Sequence, residues 1–191
     1  MDEILRSFPI KTVEYMQLDE KFGDLCEYAA WQLFKKNSRN NHTDDQQDMS
    51  QELRWSLIIA GSYYKRQVYI ESCLDACALF AEDEFTHSII EELADLWCNK
   101  TRHGANKQKF GPHQEKILEK LVKKLVPKDE RPQKDAPLRI DAKFSTYCKA
   151  ITWNKQKAMG KKITREKSIR SGQVSLSEYD YLGAGTRTIV A

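Results

Sequence analysis

No stretch of this chain approaches the ~18–20 consecutive apolar residues that a membrane-crossing helix needs. The opening Met1-Asp2-Glu3 is acidic where a secretory leader would be basic. Both absences lead us to expect a cytoplasmic protein without a membrane partner. Cysteine is sparse and scattered: Cys26, Cys73, Cys77, Cys98 and Cys148 are odd in number, which argues against a disulfide framework and for reduced thiols in a cytosol-like compartment. Cys73 and Cys77 stand one helical turn apart and could begin a metal site with Cys98, His103 and His113. Their spacing follows no standard zinc pattern, so buried core cysteines are the better reading. Catalytic constellations are also missing. His42, His87, His103 and His113 have no Ser/Asp or Cys partner at catalytic spacing, and no Gly-rich phosphate loop occurs. We therefore expect a binding protein that uses no cofactor and no metal, not an enzyme.

What the chain does have is charge, unevenly placed. With 191 residues, 40% apolar and 31% charged, it can bury a real core as one domain with room for a large insertion. The net charge is +3, yet Lys143 to Arg170 holds nine bases against the single acid Glu166, so that end is near +8 and the remainder near −5. Between Glu71 and Asp95 the pattern reverses: Glu71, Asp75, Glu82, Asp83, Glu84, Glu91, Glu92 and Asp95 occur without a base. That face will not approach DNA and suits a basic partner surface or plain solvation.

Apolar spacing makes the chain all-α. The residues to Pro9 read as a loosely held arm. A helix over about 18–36 carries the stripe Phe22, Leu25, Cys26, Ala29, Leu33 and Phe34, and a polar loop spans 37–47. In the next helix, 48–64, Met49, Leu53, Leu57, Ala60 and Tyr64 make a core stripe. Gln51, Glu52, Trp55 and Ile59 form a mixed second face of the kind that docks a partner. Two helices are expected between Gln67 and Asn99, the first with Tyr69, Cys73, Ala76, Cys77 and Phe80 inward, the second with Phe85, Ile89, Leu93 and Leu96. A basic loop follows over 100–110, and a helix over 113–126 buries Leu118, Leu121, Val122 and Leu125. Pro127, Pro132 and Pro137 punctuate a linker.

The most informative stretch is Lys143-Phe144-Ser145-Thr146-Tyr147-Cys148 and its continuation to Lys157. On a helix, Phe144, Tyr147, Cys148, Ile151 and Ala158 share a face suited to a core, whereas Lys149, Trp153 and Lys157 stack on another. Cations attract phosphates without reading sequence, and an indole among them can stack on an unpaired base, roughly 1–3 kcal/mol per base. Lys155, Lys157, Lys161, Lys162 and Arg165 extend the cationic run; Gly160 is expected to end this helix, and 171–191 reads as a flexible tail.

Two stretches together resemble the second domain of bacterial RNA polymerase sigma factors. Asp48, Met49, Gln51, Glu52, Leu57, Ala60 and Tyr64 fit the family's clamp-binding helix. Lys143-Phe144-Ser145-Thr146-Tyr147 reproduces five of the six residues Lys-Phe-Ser-Thr-Tyr-Ala that open its promoter-melting helix, with Cys148 at the small position. Val174-Ser175-Leu176-Ser177-Glu178 resembles the linker that follows. The resemblance covers roughly 18–64 and 139–180. It implies a sigma-domain-2-like helical core over 10–64 plus 139–170, with a helical insertion over 65–138. It further implies that Asp48, Gln51, Glu52, Trp55 and Ile59 meet the clamp of the polymerase largest subunit. Lys143, Phe144, Tyr147, Lys149, Trp153, Lys155, Lys157, Lys161, Lys162 and Arg165 would then face promoter DNA, with Phe144 and Tyr147 at the melting position.

The chain departs from the family in three ways. Ala150 and Ile151 stand where paired tryptophans are usual, so Trp153, on a different face, is the substitute; the segment 65–138 separates helices that are nearly contiguous in the family; and no helix-turn-helix follows. In these respects it resembles minimal sigma-like factors of phages and mobile elements, some of which depend on an additional activator. The alternatives are a helical accessory protein of a mobile element that binds RNA through its basic helices, and an adaptor that tethers polymerase.

Overall fold

In the computed structural model, residues 2–37, 43–99 and 110–183 are described. Among them are six α-helices, one 3-10 turn and no strand, in the order α1 (Asp2–Ser7), α2 (Thr12–Asn37), α3 (Thr43–Phe80), α4 (Glu84–Asn99), α5 (Pro112–Leu125), the turn Lys128–Glu130, and α6 (Ala142–Gly183). None of the described helices is long and apolar enough to cross a membrane. The expected basic loop 100–110, apart from Phe110, lies outside the described residues, as do most of the polar loop after Asn37, His42, His103 and the end of the tail, 184–191.

The chain divides into two compact units, Met1–Tyr15 with Ile59–Ile140, and Met16–Ile58 with Asp141–Ala191. The first takes in the N-terminal arm and residues 59–64 along with the segment expected to be an insertion. Its core is Ile70, Cys73, Leu74 and Cys77 of α3, Ile90 and Leu93 of α4, Leu118 and Val122 of α5, and Phe110 and Val126. Lys65 and Glu14 form a buried ion pair at 3.1 Å. Glu14 also accepts from the Lys11 N–H at 2.7 Å and the Leu138 N–H at 2.6 Å, while the Lys65 ammonium donates to the Pro9 carbonyl at 3.1 Å. Burial raises the Glu14 pKa, but the two backbone donors and the ammonium outweigh it and leave the carboxyl below its ordinary range. One buried carboxylate thus ties the arm and the proline linker to α3. Gly61 lets them come close: a Cβ there would sit 2.8 Å from Ile10 Cδ1.

Three expectations change in this unit, and the reading of its paired cysteines holds. The arm contains α1 and is anchored by Phe8, which is buried and packs on Tyr69 at 5.5 Å. Helix α3 runs unbroken through the residues expected to separate two helices, because Lys65 and Arg66 satisfy their charges internally, the latter on Glu115 at 2.6 Å. Phe85 is 76% exposed; α4 turns Thr86 and Ile90 inward alongside the expected Leu93 after Asp83 caps its N-terminus through the Thr86 N–H at 2.8 Å. Cys73 and Cys77 are core residues whose thiols burial pushes up to about 12 and about 11. No group of three metal-ligating side chains occurs among the described residues.

The second unit packs α2, the first half of α3 and α6 around Leu18, Phe22, Cys26, Leu33, Leu53, Leu57, Phe144, Cys148 and Met159. Arg54 binds Asp19 at 2.6 Å, Ser50 at 2.7 Å and Glu27 at 2.8 Å, linking α3 to α2. Asp141 caps α6 by accepting from the Phe144 N–H at 2.7 Å. The inward ridge of α6 is Phe144, Cys148, Thr152 and Met159; Ala158 is exposed and Ile151 only partly covered, so the stripe is rotated from the one expected. Thr152 is tolerated there because its hydroxyl donates to the Cys148 carbonyl at 3.0 Å. Gly160 does not stop α6. A Cβ at that position would lie 3.3 Å from Leu33 Cδ2, so the glycine serves the close approach of α2 and α6.

Candidate nucleic-acid interface

Opposite its apolar stripe, α2 carries two aromatics that a solvated face does not require. Tyr28 is 51% and Trp31 43% exposed, and their rings stack at 6.0 Å with 25° between planes. From α6, the half-buried Trp153 meets Tyr28 edge-on at 6.5 Å. The Lys35 ammonium stands 5.0 Å from the centre of the Trp31 ring. Three rings from two helices thus make one platform whose accessible π surface is bordered by a cation.

Beside the platform runs a groove of about 780 Å³ between α2 and α6. Its α2 wall is Gln32, Leu33 and Lys36; its α6 wall is Gln156, Lys157, Gly160, Lys161, Thr164, Arg165, Ser168 and Ile169. Among the described residues, four cations line it and no carboxylate does. The helices are held in register by the Gln156 amide, whose Nε2 donates to the Ala29 carbonyl at 3.0 Å and to Gln32 Oε1 at 3.0 Å. Gly160 lets the walls approach at the floor. A cationic channel next to stacked aromatics is chemically suited to a single strand, whose phosphates follow the charges while its bases stack.

The site residues expected from sequence separate into three groups. Trp153 joins the platform, and Lys157, Lys161 and Arg165 line the groove. Lys143, Lys149 and Lys162 are exposed outside it. The remaining three change role. Phe144 is 0% exposed and meets Phe22 edge-on at 6.4 Å, so it builds the core and cannot stack on a base. Tyr147 is half-covered and packs against Phe144 at 6.5 Å. Lys155 binds Glu52 at 2.6 Å, so two residues expected to meet different partners meet each other.

Of the residues expected to meet polymerase, Asp48, Gln51 and Glu52 are exposed and Trp55 is 52% exposed on α3. Ile59 is partly buried and belongs to the first unit. Sequence reasoning missed Tyr28, Trp31, Gln32, Lys35 and Lys36 altogether. Their signal was available: Tyr28, Trp31 and Lys35 recur at one helical face opposite the apolar stripe, and a pair of aromatics on a polar face is itself informative. Scans against protein-family models, curated proteins and solved structures return no match to the chain.

Proposed function

We propose that this protein is a sigma-like transcription initiation factor that docks on core RNA polymerase through the Asp48, Gln51 and Trp55 face of α3 and holds melted promoter DNA in the α2–α6 groove. The observation that carries the reading is the ring platform of Tyr28, Trp31 and Trp153 beside a groove lined, among the described residues, by four cations and no acid. Double-stranded DNA offers phosphates but hides its base faces; only an unpaired strand uses both halves of such a site. The resemblance of Asp48–Tyr64 and Lys143–Cys148 to the sigma family supports assigning the strand to a promoter and α3 to the polymerase clamp.

In place of a wedge at Phe144, the reading assigns strand capture to Trp153 and the α2 rings. Opening costs a few kcal/mol per unstacked step, and aromatic capture of exposed bases offsets it. The test is retention of core polymerase by the tagged protein. Wild type retains it and Trp55→Ala loses most of it with helicity unchanged, whereas Trp31→Ala retains polymerase but shows fewer permanganate-reactive thymines in a promoter complex. Equal retention by wild type and Trp55→Ala rules out the docking face. Binding of structured RNA without polymerase, together with no retention of polymerase, would favour the accessory-protein alternative.

A further inference from the structure

The turn between α3 and α4 carries more apolar surface than its own unit uses. Leu79 follows the buried Cys77 by two residues, about 200° around the helix, so it points away from the core and is 75% exposed. Phe85 precedes the inward Thr86 and is 76% exposed. Phe80, Ala81 and Ile89 pack against the core of this unit, but Leu79 and Phe85 do not. Single exposed apolar residues are ordinary, whereas two large ones bracketing one helix-to-helix turn point to a covered surface. Between them stand Glu82, Asp83 and Glu84, all exposed. Asp83 is occupied by the fold, since it accepts from the Thr86 N–H at 2.8 Å and the Thr86 hydroxyl at 2.7 Å. Glu82 and Glu84 form no ion pair among the described residues. Charge narrows what can cover the turn. Nucleic-acid phosphates and anionic lipid headgroups are repelled, and a second copy docking by the same turn would set its own acids against these. A cationic protein surface is attracted, and the two projecting side chains supply the apolar burial that charge alone lacks.

We propose that this turn docks a basic amphipathic helix of a partner protein, with Leu79 and Phe85 covering its apolar stripe and Glu82 and Glu84 meeting the cations beside that stripe. The inference is independent of the α2–α6 groove and of polymerase docking. The probe is a synthetic helical peptide with a leucine stripe and lysines on its other faces, titrated with full-length protein and followed by fluorescence anisotropy. A peptide of the same charge with serine in place of leucine is the comparison. Wild type binds the leucine peptide and binds the serine peptide roughly tenfold more weakly. Leu79→Ser and Phe85→Ser each lower affinity for the leucine peptide roughly tenfold, and Phe85→Leu keeps most of it. Glu82→Lys combined with Glu84→Lys abolishes binding. Met16→Ser, which removes a side chain that is 64% exposed on α2, leaves affinity unchanged. Circular dichroism confirms that each variant keeps its helices. Absence of binding by wild type, equal binding of the two peptides, undiminished affinity in both Leu79→Ser and Phe85→Ser, or the same loss in Met16→Ser overturns the proposal.

Discussion

Replacing Trp31 with alanine separates the stacking half of the groove from its ionic half. A base stacked on an aromatic contributes about 1–3 kcal/mol. Because Trp31 is 43% exposed, with part of its surface on Tyr28, the lower part of that range applies, about 1–2 kcal/mol or roughly a five- to thirtyfold loss of affinity for oligothymidylate. The cations set a different quantity. If Lys36, Lys157, Lys161 and Arg165 each neutralise one phosphate, log affinity should fall against log salt with a slope of about −3. Trp31→Ala should lower affinity at every salt concentration and leave that slope unchanged. Lys161→Ala should make it shallower by about 0.7. Lys155→Ala should move it much less, since its ammonium is held by Glu52 at 2.6 Å. Circular dichroism on each variant checks that the helices persist. Equal slope changes in Lys155→Ala and Lys161→Ala, or undiminished affinity in Trp31→Ala, would refute the assignment of rings and charges.

Three further outcomes follow from packing. Glu14→Gln leaves Lys65 buried without its carboxylate and should lower stability by about 3–5 kcal/mol in urea unfolding. Because the Glu14 carboxyl is depressed when folded, its contribution is fully present above the unfolded pKa of about 4.3 and is lost as pH falls through the lower folded value. Wild type should therefore lose stability in that acid window and Glu14→Gln should lack that component. Gly160→Val places a branched side chain against Leu33 and should cost about 1–3 kcal/mol, read as a lower urea midpoint with an unchanged slope. Phe85→Ser should change stability by no more than about 0.5 kcal/mol, whereas Ile90→Ala should cost about 2–5 kcal/mol, which checks that α4 is rotated as described.

Much of the fold was legible from apolar spacing. Phe22, Cys26, Ala29 and Leu33 of α2, Leu53, Leu57, Ala60 and Tyr64 of α3, and Leu118 and Val122 of α5 are all buried as their spacing implies. Element ends were less legible. Lys65 and Arg66 look like an interruption until Glu14 and Glu115, 51 and 49 residues away in the chain, neutralise them. Gly160 looks like a terminator because glycine disfavours helix by about 1 kcal/mol relative to alanine. Its reason for being there, Leu33 on α2, is visible only in three dimensions. The interface was legible by half: the α6 bases and Trp153 stand out in sequence, but their partners on α2 do not.

From sequence alone came the helical class, the cationic character of the late segment and the separation of acidic from basic surfaces, since each depends on residue type and local period. Only tertiary packing decided that Phe144 is core, that Lys155 is neutralised by Glu52, and that Trp153 joins Tyr28 and Trp31. The physical reason is that helical period fixes which residues share a face, whereas the neighbour covering that face is set by residues more than a hundred positions away.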